Sequence, residues 1–314
     1  MADGKWIDGL APTAPVAEAA RAALAARFAV VRHYLPLAVE KPYADIEHVH
    51  QLRVGTRRAA AALRAFAAAV PYKPYKDVKR ALRALRRAAG DARDWDVFRA
   101  ALEVAKPVTS SKPALDFLSG YAFGERAAAQ LRLASAASEA GPLFAERGDE
   151  LVARAREPDG EPAPANFGAL AAAQLGALLA EFTEGARANP KTPEALHALR
   201  IAGKRLRYAI ELFAGCFPPA LRETVYPAVE RAQEVLGDVQ DAVTGAARLA
   251  GIRAAVGAAM PKQLTRVQKG IDAWAKSLRA KVPAGKKAFA AWRTEWLDLT
   301  NGLALEVVAA TATV

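Results

Sequence analysis

His50-Gln-Leu-Arg-Val-Gly-Thr-Arg-Arg-Ala-Ala-Ala-Ala-Leu-Arg-Ala-Phe66 occurs twice in this chain, the second time as His197-Ala-Leu-Arg-Ile-Ala-Gly-Lys-Arg-Leu-Arg-Tyr-Ala-Ile-Glu-Leu-Phe213. The offset is 147 residues throughout, so that His50 maps to His197, Arg53 to Arg200, Arg57 to Lys204, Arg58 to Arg205, Leu63 to Ile210 and Phe66 to Phe213. At about 100° per residue, a helix puts Leu52, Ala59, Leu63 and Phe66 on one stripe and His50, Arg53, Arg57 and Arg64 on the opposite one. The second copy repeats both stripes, with Leu199, Leu206, Ile210 and Phe213 facing away from His197, Arg200 and Lys204. Both copies are therefore amphipathic helices with one apolar and one basic face.

A solvated helix face usually mixes acids with bases so that i,i+4 pairs support it. Neither basic stripe carries an acid until Glu211. The cations are then either paired with carboxylates from other helices or kept for an external polyanion.

The pattern His-x-Leu-Arg-Val/Ile-x-x-Arg/Lys-Arg, repeated about 150 residues apart in a helical chain, resembles the CHAD (conserved histidine α-helical domain) family. The resemblance covers most of the chain. It implies duplicated helical bundles whose basic surfaces bind inorganic polyphosphate. It carries over, position by position, to His50, Arg53, Arg57 and Arg58 in the first copy. In the second it carries over to His197, Arg200, Lys204, Arg205, Arg207 and Tyr208. Ala59-Ala60 stands where the second copy has Leu206-Arg207, so the first copy lacks one basic residue of the pattern.

The chain has 314 residues, 53% of them hydrophobic, which is enough for a buried core. Its net charge of +11 favours polyanionic partners such as nucleic acid, acidic lipid headgroups or polyphosphate. A single cysteine, Cys216, excludes an intramolecular disulfide and fits a reducing, cytoplasmic setting. Residues 1–13 lack the charged and apolar regions of a secretory signal. The most apolar run, Phe167 to Phe182, is interrupted by Gln174 and reads as a buried helix, so no transmembrane segment is expected.

Periodicity and Pro/Gly punctuation predict an all-α fold of about six helices per copy. They fall near 14–39, 45–69, 74–89, 91–106, 113–139 and 141–157, then 166–188, 192–214, 219–236, 238–258, 262–280 and 286–311. Residues 1–157 and 158–314 are the two halves, joined by the Pro-rich segment 158–164. Thr192-Pro193 and Ser111 to Pro113 are helix-start signals. We expect the halves to pack about a pseudo-two-fold axis with a basic groove or pore between them.

The helix predicted from residue 74 extends the basic surface. Lys76, Lys79, Arg80, Arg83 and Arg87 share a face opposite Val78, Leu82 and Leu85. Residues 50–99 hold thirteen Lys and Arg against four Asp. The corresponding face of the second half carries Tyr226, Pro227, Glu230 and Glu234 instead, so the field should be lopsided toward the first half.

Other motifs are less informative. Gly90-Asp-Ala-Arg-Asp-Trp-Asp96 and Gly237-Asp-Val-Gln-Asp241 also match at the 147-residue offset. They read as helix breaks, with Asp91 and Asp238 capping the next helix and Asp94 and Asp241 favouring its N-terminus or pairing with the Arg helices. Metal binding by these carboxylates is the weaker alternative. His48 and His50 point to different sides of a helix, so no zinc site is expected. His50 and His197 either hydrogen-bond phosphate directly or orient the arginines. Gly203-Lys204-Arg205 and Gly285-Lys286-Lys287 lack the other residues of a P-loop.

The expectation is a non-catalytic binder of polyphosphate with no cofactor and no metal, in the cytoplasm and on polyphosphate granules. Its binding residues are those named in the two copies, with Arg64 and the five cations from Lys76 to Arg87. The rivals are a nucleic-acid-binding protein, which would want aromatics interleaved with the basic residues, a granule-coating structural protein and a polyphosphate-processing enzyme.

Overall fold

The computed structural model describes residues 4–109, 111–159 and 163–303. Among them are eight α-helices and no strand: α1 (Val16–Glu40), α2 (Glu47–Ala65), α3 (Tyr72–Thr109), α4 (Lys112–Ala153), α5 (Phe167–Arg187), α6 (Pro193–Phe213), α7 (Tyr226–Ala259) and α8 (Pro261–Leu303). A π-helical turn, Leu221–Val225, leads into α7.

The two helices that carry the repeated motif, α2 and α6, lie where the periodicity places them. Thr192 caps α6, its Oγ1 accepting from the Ala195 amide at 3.2 Å, with Pro193 in the first turn. Ser111 precedes α4 as expected but makes no capping bond through its side chain.

The expected count of about six helices per copy is corrected to four. Helices predicted to break at Gly90, Ala140, Gly237 and Lys281–Gly285 run on through those positions. The part of the helix predicted at 286–311 beyond Leu303 lies outside the described residues. Glycine inside a helix costs only about 1 kcal/mol, and here long-range packing outweighs it. α3 and α4 pair along their length, as do α7 and α8, so interrupting one helix would strip its partner of contacts. Asp91 and Asp238 consequently cap nothing, because both lie mid-helix on the exposed side.

The packing order repeats in the two halves. α1 packs on α2 and α4, and α2 on α3; correspondingly α5 packs on α6 and α8, and α6 on α7. One apolar core runs from Leu24, Leu52 and Leu63 through Phe66, Phe167 and Phe213 to Leu206 and Trp296. A second cluster forms where α3, α4, α7 and α8 meet further out, built on Phe98, Leu118, Ile252, Ile271 and Trp274. The halves touch at the α2–α6 crossing, at this outer cluster and along the N-terminal segment, where the Phe167 amide donates to the Ala14 carbonyl at 2.9 Å.

Two hydrogen bonds from the flanking helices buttress the crossing. Arg27 of α1 donates to the Glu211 carbonyl at the end of α6 at 3.2 Å, and Gln174 of α5 donates to the Ala65 carbonyl at the end of α2 at 2.7 Å. Residues 27 and 174 are themselves related by the 147-residue offset. α1 is the one described helix long and apolar enough to cross a membrane; its Leu24, Phe28 and Val31 are buried inside the bundle.

The Phe167 ring lies between Phe66 and Phe213, at centroid distances of 6.1 and 5.6 Å. Phe167→Ala should lower stability by about 3–5 kcal/mol, read as a drop in the denaturant midpoint. The loss should exceed that of the exposed Phe123→Ala, which should be within about 0.5 kcal/mol of wild type.

Candidate anion-binding site at the helix crossing

Crossing two basic helices brings like charges together, and the repeat makes the outcome readable position by position. Positions 58 and 211 meet at one end of the crossing, and their 147-offset equivalents, 205 and 64, meet at the other. At the first end Arg58 Nε donates to Glu211 Oε2 at 2.7 Å. Glu211 is 1% exposed, accepts from the Tyr226 hydroxyl at 2.8 Å, and has Arg207 Nε 3.8 Å away. Burial, then the Glu211 charge, pushes the Tyr226 phenol far above its ordinary range.

The other end has no such acid. Arg64 faces Arg205, and with Arg86 of α3 nearby its pKa is lowered, first by burial and then by those two cations. Among the described residues only Arg205 has a carboxylate partner there, Glu181 at 2.7 Å. Arg64, Arg205 and Tyr208 line a cavity of about 280 Å³.

Between the two ends stands Lys204. Arg200 and Arg207 flank it on α6, and Arg57 and Arg53 reach it from α2. Burial first, then these four cations, brings its pKa down to about 7. Among the described residues neither Lys204 nor Arg57 has a carboxylate within ion-pairing distance. The nearest acids serve neighbours: Asp94 lies 3.7 Å from Arg53, and Asp241, its equivalent in α7, faces Arg200. Burial, and then Asp238 and Asp94 working against Arg200, raises the Asp241 carboxyl. Beyond Arg53 and Arg200 opens a larger cavity of about 740 Å³, bounded on its far side by Phe98, Trp274 and Leu278.

The two motif histidines have different surroundings. His50 faces Arg93, and burial followed by that cation lowers its pKa, so it is neutral at pH 7. His197 is exposed, and its Nδ1 is 2.9 Å from Gln240 Oε1, whose Nε2 in turn donates to Thr244 Oγ1. Residues 93 and 240 are again offset equivalents. One histidine therefore sits against a cation and the other against a neutral amide.

Residues 22–250 match the sequence profile of the CHAD domain. This chain belongs to the CHAD family. Its fold is similar to the crystal structure of the CHAD domain from the plant Ricinus communis, with 25% identity, a TM-score of 0.68, and 91% of this chain and 94% of that one covered. It is also similar to PptA from Streptomyces chartreusis, with 18% identity, a TM-score of 0.65, and 89% and 99% of the two chains covered. No protein of curated function matches the chain.

Of the residues expected at the site from the motif and from the basic helix faces, the fold gathers Arg53, Arg57, Arg64, Arg200, Lys204, Arg205, Arg207 and Tyr208 at the crossing. His50 joins them through Arg93, and Arg83 and Arg87 through Arg86. Arg58 is there too, but bonded to the buried Glu211. Three α3 cations point elsewhere or to the rim. Lys76 lies over the Tyr72 ring, Arg80 is 3.0 Å from Asp77, and Lys79 lies over Tyr75, which faces Arg64.

Two cations of this CHAD face were missed in the sequence, Arg86 and Arg93. They stand seven residues apart, nearly two full helical turns, and would have lined up had α3 been read as continuous through Gly90. Among the described residues no group of three His, Cys, Asp or Glu side chains is arranged to hold a metal ion.

The pKa of Lys204 makes a stability prediction. Unfolded lysine keeps its proton up to about 10.5, whereas folded Lys204 releases it near 7, so unfolding takes up a proton between these values and this residue makes stability rise with pH there. Lys204→Met should flatten that rise. Below pH 7 it should stabilise the protein by about 1 kcal/mol, as relief of charge crowding does, seen as a higher melting temperature.

Proposed function

We propose that this chain binds inorganic polyphosphate on the face formed by α2, α3 and α6 and leaves it intact. The observation that carries this reading is the set of uncompensated cations at the crossing, Lys204 and Arg57 above all, surrounded by further arginines. Such crowding costs stability in the free protein, and an anion with repeating charges relieves it. Arg supplies multidentate donors to phosphate oxygens and Lys a point charge. From His50 to Arg64 the α2 stripe spans about 20 Å, a track for a linear chain of phosphates.

The pseudo-two-fold arrangement, with both motif helices contributing to one groove, is supported by the paired bonds from Arg27 and Gln174 and by the meeting of Arg57 with Lys204. The groove is not an even one. Arg83, Arg86 and Arg93 of α3 have Glu230, Gln233 and Gln240 as counterparts in α7, so ligand charge should lie toward the first half. Base stacking is disfavoured, because the Tyr208 ring is 6% exposed and lies against Arg207 at 5.1 Å. A role without catalysis agrees with a site built of cations. Attachment to cytoplasmic polyphosphate granules would follow from the binding.

Titration with long-chain polyphosphate and with RNA of equal charge, across a salt series, tests this reading. Log affinity for polyphosphate should fall linearly with log salt, with a slope of several units, taking about 0.7–0.9 per neutralised phosphate from nucleic acids as a guide. Arg57→Ala with Arg86→Ala should weaken binding at least about ten-fold and make the slope shallower, with melting unchanged or higher. Polyphosphate incubated with the protein and Mg²⁺ should keep its length on a gel. RNA binding as tight as polyphosphate at high salt, or metal-dependent shortening, would replace this reading.

A further inference from the structure

We propose that Lys204 is a site of acylation by small acyl phosphates, with the arginines around it recruiting the phosphate of the donor. The inference rests on reading the α2–α6 crossing as an anion site, but needs only a small anion, not a long one. Its basis is a juxtaposition: Lys204 stands one turn from Arg200 and one turn from Arg207 on α6, where α2 packs across and brings Arg53 and Arg57, and among the described residues its amine has no carboxylate within ion-pairing distance. Asp241, from α7, is the acid that faces Lys204, and its stronger neighbour is Arg200. An acyl phosphate held by these guanidinium groups places its carbonyl carbon beside the lysine.

The amine is also suited to attack. A lysine with its proton on is no nucleophile, and an ordinary one is protonated at neutral pH. Burial and the four arginines hold Lys204 at about 7, so near neutrality about half of it is the free amine. In the step itself the Nζ lone pair attacks the acyl carbon and a C–N bond forms. The C–O bond to phosphate breaks, phosphate leaves with the electron pair, and the amine proton goes to it. Acyl phosphate and amine thus become amide and hydrogen phosphate, with no oxidant or further reactant. The arginines that lower the pKa also stabilise the departing phosphate.

The product matters for the groove, because an amide at position 204 removes the cation at its centre. Acylation would therefore weaken polyanion binding, and a bound polyanion would shield the lysine from acylation. The two occupy one site and compete for it.

The test is to incubate the full-length protein with acetyl phosphate and follow acetylation by peptide mass spectrometry, with the exposed Lys262 and Lys287 as internal references. Lys204 should be modified at least about ten times faster than either, with a rate that rises through about pH 7. Tripolyphosphate should protect it. Arg57→Ala should slow labelling by acetyl phosphate more than labelling by the uncharged N-hydroxysuccinimide ester of acetic acid. Labelling of Lys204 no faster than of the references, or labelling indifferent to both tripolyphosphate and Arg57→Ala, would overturn the inference. If long-chain polyphosphate fails to bind while selective, tripolyphosphate-protected acetylation persists, the function proposed above fails and this one stands. If polyphosphate binds and Lys204 is not selectively labelled, only this one fails.

Discussion

Two basic helices cross at the middle of this protein, and the repulsion between them is the constraint to which the surrounding structure answers. At an effective dielectric of about 20, like charges 4 Å apart oppose each other by about 4 kcal/mol. The apolar faces of the same helices hold the crossing closed, with Leu52, Leu63 and Phe66 of α2 and Leu199, Leu206 and Phe213 of α6 all buried. Charge is compensated only where the fold needs it. Glu211 satisfies Arg58 and Tyr226 at one end, while Arg64 and Arg205 face each other at the other.

Glu211 is itself enclosed by chain from outside the repeat. The Ile7 amide donates to its carbonyl, Trp6 packs on Tyr226 at 4.8 Å, and Lys5 pairs with Glu230 at 3.4 Å. Removing one partner of a buried pair costs far more than the pair contributes, so this segment keeps water away from a carboxylate on which Arg58 depends. At the other end the one carboxylate among the described residues, Glu181, pairs with Arg205 and leaves Arg64 facing Arg205 and Arg86. Compensated and crowded charges are thereby separated along one helix pair.

Repeated positions carry different chemistry in the two halves. The pair at 58 and 211 is a salt bridge while the pair at 205 and 64 is a repulsion; His50 meets Arg93 while His197 meets Gln240. A repeated motif with diverged side chains thus gives a crossing with a polarity, richer in cations on the α3 side and moderated by Glu230 and Asp241 on the α7 side.

The sequence by itself determined the repeat, the all-helical class, the family, the buried stripes of α2 and α6 and most of the cations at the crossing. These are legible because a period of 3.6 residues sorts apolar from charged positions wherever a helix is half-buried. It could not determine which cations stay unpaired, since Glu211, Asp94 and Glu181 reach their arginines across long stretches of chain. Nor could it see that α3 runs through Gly90 and α7 through Gly237; a break at Gly90 hid the alignment of Arg86 with Arg93, and breaks at both made caps of Asp91 and Asp238. A glycine's local penalty of about 1 kcal/mol is readable in one dimension. The pairing of α3 with α4 that overrides it exists only when the chain is folded.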